Sequence, residues 1–317
     1  MSTRPGRFGH RPLAFLALAF LALLVAACSP SGPSIEPIGA RTDDAVVVAS
    51  FNFPESVVLA ELYAQALEEV GVPVARQGEV GPREIMEPAL EQGLVDLVPE
   101  YLGSALVYLD PATAAMNLDA EATRGRLEEI VARHDVVVLA HSPAQNQNGI
   151  VVTPETAARY ELSMVSDLAP VAADLVFGGP PECRDRPFCL PGLRETYGLE
   201  FRAFLALDSG GRQTRAALTR GDADVGLLFT TDGHLAEGDF VLLGDDRGLQ
   251  PAENVVPLVR RDVVARWGDT LVSRLDAVTS TLTTDALAEM NAEVGIEGES
   301  PAEVAADWLD DQNLDPD

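Results

Sequence analysis

No lysine occurs anywhere in the 317 residues, and all 22 basic side chains are arginine. That absence excludes sites that need an ε-amino group: a Schiff-base enzyme, a P-loop nucleotide site and a kinase-like site. Positive charge is scarce altogether. With 50 acidic residues the net charge is −28, which argues against nucleic acid or an anionic membrane surface as a partner. Histidine is also rare, and beyond the N-terminal leader only His134, His141 and His234 remain, far apart along the chain. There is no His-Glu-x-x-His, no Gly-x-Ser-x-Gly and no glycine-rich phosphate loop. An enzyme would need a base, a nucleophile or a metal cluster, and no such constellation can be read here. No cofactor and no metal site are expected.

No apolar run is long enough to span a bilayer. The one run of note, residues 13–24, falls short of the roughly 20 residues a spanning helix requires. It follows Arg4, Arg7 and Arg11 and leads into the small residues Val25-Ala26-Ala27 and then Cys28, the layout of a secretion signal. The four residues ending at Cys28 resemble the lipobox of bacterial lipoproteins, in which that cysteine is lipidated and becomes the mature N-terminus. The alternative is an ordinary cleaved signal with a chance cysteine. Residues 1–27 are thus expected to be a signal peptide and residues 28–44, rich in Pro, Ser and Gly, a lipidated flexible tether. Loss of the three leader arginines takes the net charge from −28 to −31. What remains is longer than one usual lobe, so two are expected.

One phrase occurs twice. Residues 89–101 read Ala-Leu-Glu-Gln-Gly-Leu-Val-Asp-Leu-Val-Pro-Glu-Tyr, and residues 217–229 read Ala-Leu-Thr-Arg-Gly-Asp-Ala-Asp-Val-Gly-Leu-Leu-Phe. Ala, Leu, Gly and Asp recur at one fixed offset, and each phrase closes on an aromatic, Tyr101 or Phe229. The pattern predicts a helix end, a glycine in the left-handed conformation and then a short apolar strand. Ligands of open α/β sheets bind outside the carboxyl ends of strands, so two facing lobes would put Tyr101 and Phe229 in one cleft. The alternative is two core aromatics after two ordinary strands.

The rest of the chain alternates strands and helices, as an α/β protein does. Strands are predicted at 46–49, 72–76, 94–98, 136–139, 150–152, 175–177 and 255–259. Helices are predicted from Pro54 to Gly71 and over 83–92, 120–133, 192–197, 213–219, 269–282, 284–294 and 301–311, with another after Gly103. Periodicity breaks at 141–149 and again at 250–257, which reads as two crossings between lobes. Two crossings make a two-stranded hinge, an architecture of proteins that close on a ligand. Lobe one is taken as 45–141 plus 257–317 and lobe two as 142–256. Cys183 and Cys189 lie six residues apart. Export to an oxidising compartment favours a local disulfide, whereas a metal site would lack a nearby His or third Cys.

Several of these stretches together resemble one family. Ala49-Ser-Phe-Asn-Phe-Pro-Glu55, Glu61-Leu-Tyr-Ala-Gln-Ala-Leu67, Asp96-Leu-Val-Pro-Glu-Tyr-Leu-Gly-Ser-Ala-Leu106, Phe177-Gly-Gly-Pro-Pro-Glu182, Phe229-Thr-Thr-Asp232 and Leu249-Gln-Pro-Ala-Glu-Asn254 look like the substrate-binding lipoproteins of osmoprotectant ABC importers. The resemblance implies a bilobed periplasmic-binding-protein-like fold of type II and a small ligand such as glycine betaine, choline, carnitine or proline betaine. It also implies permease and ATPase partners and an extracytoplasmic protein held to the membrane by its lipid alone, acting as a monomer.

The resemblance assigns roles residue by residue. A quaternary ammonium has no N–H to donate, so the family holds it over aromatic faces. Tyr101 and Phe229 match aromatics of that cage, and Ser104 stands where a Ser or Thr hydroxyl is used. Arg186 falls where an arginine binds the ligand carboxylate, although it also fits a solvated surface arginine. Departures are as informative. Phe51 stands where a lysine is frequent, Asn148 and Glu253 where tyrosines are common, and Asn146 where an Asp is common. Glu253 either adds negative charge near a cation or faces solvent at the hinge, and Phe51 either restores aromatic surface or only packs. A ligand without a carboxylate, or a different small polar or aromatic molecule, is therefore an alternative to glycine betaine. So is a tethered sensor that uses the same cleft without transport.

Overall fold

The protein was analysed as a computed structural model that describes residues 1–2, 44–116, 118–312 and 314. The expected signal peptide beyond Ser2, the lipidation site Cys28 and the tether up to residue 43 lie outside the described residues. In chain order the strands are β1 (Val46–Ala49), β2 (Val74–Gln77), β3 (Leu97–Tyr101), β4 (Val136–Val138), β5 (Asn148–Val152), β6 (Val176–Gly179), β7 (Ala203–Ala206), β8 (Val225–Phe229), β9 (Val241–Leu242) and β10 (Val255–Arg260). The helices are α1 (Pro54–Glu69), α2 (Arg83–Glu91), α3 (Leu102–Leu109), α4 (Ala120–Val131), α5 (Pro154–Tyr160), α6 (Leu190–Tyr197), α7 (Arg212–Arg220), α8 (Gly233–Ala236), α9 (Arg261–Thr281), α10 (Thr284–Ala292) and α11 (Pro301–Gln312).

Two five-stranded sheets share one plan. Their orders are β2-β1-β3-β10-β4 and β7-β6-β8-β5-β9. In each, four strands share one direction and one runs against them beside the central strand: β10 between β3 and β4, and β5 between β8 and β9. The first sheet is buried on both faces. Val46 and Val48 of β1 enter the core under α1 and the C-terminal helices, while Val47 and Ala49 enter the core under α2, α3 and α4. Such strands read as unbroken apolar runs in sequence. Helix α1 starts with Pro at its first position and buries Val58, Leu59, Leu62, Tyr63, Ala66 and Leu67 completely, before Gly71 at φ 79° ends the segment.

The repeated phrase forms the centre of each sheet, and its matched residues perform the same tasks. After α2, the Gly93 amide donates to Leu90 O and the Leu94 amide to Ala89 O; after α7, the Gly221 amide donates to Leu218 O and the Asp222 amide to Ala217 O. Gly93 and Gly221 sit at φ 70° and 74°, where a side chain would be strained. Asp96 then accepts the Val47 amide at 2.9 Å while its own amide donates to Val47 O. Asp224 likewise accepts the Val176 amide at 2.8 Å and donates to Val176 O. Each acid thus fixes the entry of the neighbouring parallel strand. The strands end on Tyr101, opposite Val255, and on Phe229, opposite Asn148.

The chain crosses between the sheets twice, over residues 139–147 and 243–254. The two connections lie side by side: Asn146 N donates to Glu253 O at 3.0 Å, Ser142 N to Val255 O at 2.8 Å, and Gln147 Nε2 to Pro251 O at 2.8 Å.

Several boundaries differ from expectation. The strand predicted at 94–98 begins at Leu97, because Leu94 belongs to the helix stop and is exposed. The 72–76 strand is β2 at 74–77, and the 175–177 strand extends through Gly179. Helix α9 starts at Arg261 rather than 269 and runs through an irregular Gly268. Strands β7 and β9 and helix α8 were not anticipated. Both strands lie at sheet edges with half-exposed residues, so they lack the apolar run of a central strand.

Candidate functional site

A cavity of about 320 Å³ opens between the carboxyl ends of β3 and β8. Four aromatic rings line it as a connected group. Phe51, just after β1, stacks on Phe53 with centroids 5.9 Å apart; Phe53 lies 6.1 Å from Tyr101 and 5.1 Å from Phe229. Phe53 is the central ring because it occupies the N-cap of α1, where an extended backbone turns it into the cavity mouth before Pro54 starts the helix. Tyr108 of α3 and Phe188 of the cysteine loop add further aromatic wall.

The two closing aromatics of the repeated phrase differ in their anchoring. Tyr101 is 6% exposed, belongs to the first sheet's core, and its hydroxyl donates to Glu55 Oε1 at 2.6 Å. Burial first, and then the charge of Glu55, raise the Tyr101 pKa well above its ordinary value, so it stays a donor. Phe229 is only half-buried, lines the cavity and packs against the second sheet's core. Glu55 is a junction. Its Oε1 also accepts Asn146 Nδ2 at 2.6 Å, and its Oε2 accepts Asn291 Nδ2 at 2.7 Å and the Thr231 hydroxyl. Those partners come from β3, the first connection, α10 and the segment after β8, so one buried side chain ties both sheets' neighbourhoods together.

Charge is distributed unevenly around the cavity. Arg83 at the start of α2 holds Glu100 through two nitrogens, at 2.5 and 2.8 Å, and its guanidinium lies 5.3 Å from the Phe51 ring centre. Burial works against the charge on Arg83, but Glu100 and then Glu253 and Glu87 outweigh it and raise its pKa. Arg186 spans the cavity mouth. Its Nη2 donates to both oxygens of Glu84 at 2.8 and 2.9 Å, and the group lies 5.4 Å from the Tyr108 ring centre. Cys183 and Cys189 are joined in a disulfide with Cα atoms 5.2 Å apart, and the loop they close carries Arg186. Glu253 is 2% exposed, with Ser104 Oγ donating to it at 2.5 Å and the Ser104 amide at 3.1 Å.

All eight residues singled out for ligand contact, Phe51, Tyr101, Ser104, Asn146, Asn148, Arg186, Phe229 and Glu253, line this one cavity. Glu253 is buried rather than facing solvent, and Arg186 is ion-paired rather than free. Sequence reasoning passed over Phe53, Glu55, Arg83 and Tyr108. Phe53 and Glu55 fall within the Ala49 to Glu55 stretch, where an aromatic, a Pro and an acid in succession were the available signal. The three histidines sit beside acids away from the cavity: His134 with Glu91, His141 with Glu121 and His234 with Asp239. Among the described residues no group of three His, Cys, Asp or Glu is arranged to hold a metal ion, and no helix is long and apolar enough to cross a membrane.

A family model for the substrate binding domain of ABC-type glycine betaine transport systems matches residues 44–311. The chain belongs to this family. Its members are extracytoplasmic solute-binding components of ABC importers. A glycine-betaine-binding protein of Pseudomonas aeruginosa is 30% identical over 83% of this chain and 86% of its own length. The glycine betaine-binding protein YehZ of Escherichia coli is 26% identical over 83% and 89%, and its ligand-free structure superposes with a TM-score of 0.60 over 84% of this chain and 98% of that one. A crystal structure of a glycine betaine/carnitine/choline ABC transporter component, 23% identical, gives a TM-score of 0.66 over 84% and 98%, and supports the periplasmic-binding-protein-like fold.

Proposed function

We propose that this protein captures a small quaternary ammonium solute in the cavity between its two sheets and delivers it to ABC permease and ATPase subunits, without catalysing a reaction. The observation that carries this is the aromatic group of Phe51, Phe53, Tyr101 and Phe229 on the walls of a 320 Å³ cavity edged by acids. A trimethylammonium head is held by ring faces and by negative charge, each ring contributing about 0.5–2 kcal/mol. Tyr101, Phe229 and Phe51 are the cage, Ser104, Asn146 and Asn148 give polar contacts, and Glu253 and Arg186 set charge preference.

The lobes are 45–141 with 257–317 and 142–256, and the paired connections over 139–147 and 243–254 are the hinge. Arg186 with Glu84 is a contact made on closure. Cys28 carries a lipid, residues 29–44 tether the domain, and the protein acts as a monomer on the extracytoplasmic face. Arg83 is engaged by Glu100 and Arg186 Nη2 by Glu84, while Arg186 Nε is buried without a partner; the two-nitrogen fork that a ligand carboxylate would take is thus partly used, and this favours a ligand without a carboxylate. A thermal-shift screen of choline, glycine betaine and carnitine tests the reading, since a ligand of the folded state raises Tm by mass action. Choline is expected to stabilise the protein at least as much as glycine betaine; no shift with any of the three would contradict the proposal.

A further inference from the structure

Around Arg83, at the cavity wall and behind it, acid outnumbers base. Glu87, Glu100 and Glu253 all act on the Arg83 guanidinium, which pairs directly with Glu100. Glu87 sits one turn along α2 from Arg83, 4% exposed, with Oε1 buried and unpartnered. Burial first, and then the Glu100 charge, raise its pKa, so Glu87 holds its proton and needs no counter-ion. That leaves Glu253, a cavity-lining carboxyl whose direct partners are the two neutral donors of Ser104. The charged groups that reach it are Arg83 and Glu100, with Glu87 behind Arg83; across the cavity stand Glu182, Asp185 and Arg186, the last already held by Glu84. On the same wall, Asn146 is 5% exposed and its Oδ1 is buried without a partner. This wall is therefore arranged to receive positive charge.

We propose that Glu253 is the counter-ion of the ligand's cationic head, and that the cation takes the place of a proton on Glu253, so that capture of the ligand releases a proton. The balance is simple: the carboxyl O–H breaks, the proton leaves to solvent, and the carboxylate remains beside the bound cation. This rests on reading the cavity as a cation site. Burial pushes Glu253 up to about 7, against the lowering effect of the Ser104 hydrogen bonds. The sign follows. Below about 7 the ligand-free site holds a proton that the cation must displace, so affinity rises with pH and levels off above that value. For one proton exchanged, the affinity at pH 6 should be about a tenth of that at pH 8.

Isothermal titration of the purified protein at pH 6, 7 and 8, in two buffers of different ionisation enthalpy, reads both affinity and proton release. The probes are choline and its uncharged carbon isostere, 3,3-dimethylbutan-1-ol. Choline should bind about tenfold more weakly at pH 6 than at pH 8 and release close to one proton at pH 6, while the isostere shows neither effect. Glu253→Gln should flatten the choline profile. Ser104→Ala, which removes a donor to Glu253, should move the midpoint to higher pH, a shift that a purely structural role would not produce. A flat choline profile in the wild type, a slope that survives Glu253→Gln, or an equal slope for the isostere overturns the exchange. If choline binds with a flat profile, only the exchange fails; if choline, glycine betaine and carnitine all fail to bind at every pH, the ligand reading fails and the exchange with it.

Discussion

The two central strands are built alike and finished differently. In both, an Ala and a Leu carbonyl close the helix end, a left-handed glycine turns the chain, and an aspartate clamps the neighbouring strand. Yet Tyr101 ends buried and hydrogen-bonded to Glu55, while Phe229 ends half-buried with no polar tie to its ring. One frame was used twice, and only the terminal aromatic was fitted to a different task. On the first sheet it is a buried core residue as well as cavity wall; on the second it is cavity wall that packs, half-buried, against the edge of the core.

The largest effect should come from breaking the junction that only the first side possesses. Glu55→Ala would leave the donors of Tyr101, Asn146 and Thr231 without the acceptor they use, and Asn291 Nδ2 with the Thr231 carbonyl alone. At about 1–3 kcal/mol for a buried donor left unsatisfied, a loss of at least about 3 kcal/mol is expected in urea unfolding. A loss below about 1 kcal/mol would mean that the junction is not structural.

Next come the two clamps. Asp96 is fully buried and Asp224 partly so. Replacing either by Ala orphans a strand amide, and Asp96→Ala should cost about 2–3 kcal/mol against about 1–2 kcal/mol for Asp224→Ala. Equal losses, or a larger one at Asp224, would show that burial does not grade the two sites.

How much of this was legible in sequence follows from the range of the interactions. The helix stop, the glycine and the strand of the repeated phrase are local, so Gly93, Gly221, Tyr101 and Phe229 were found from spacing alone. The family resemblance added Ser104, Arg186, Phe51, Asn146, Asn148 and Glu253, all of which line the cavity. Glu55 escaped because an acid in the first turn of a helix is ordinary, favoured there by the helix dipole. Its partners lie 46, 91, 176 and 236 residues away. Arg83 escaped for the same reason: its pairing with Glu100 appears only once α2 packs beside β3. Edge strands β7 and β9 carried no run of buried residues to reveal them.

The most direct test of the central claim lies in the two aromatics. Choline titrations and urea unfolding should be run on Tyr101→Ala and Phe229→Ala beside the wild type. Tyr101→Ala should lose about 3–5 kcal/mol of ligand-free stability, as a buried core aromatic does. Phe229→Ala should weaken choline binding about 3- to 30-fold, or roughly 0.5–2 kcal/mol, with a much smaller loss of stability. Phe229→Ala that unfolds as readily as Tyr101→Ala yet binds choline with wild-type affinity would contradict the assignment of this cavity as the ligand site.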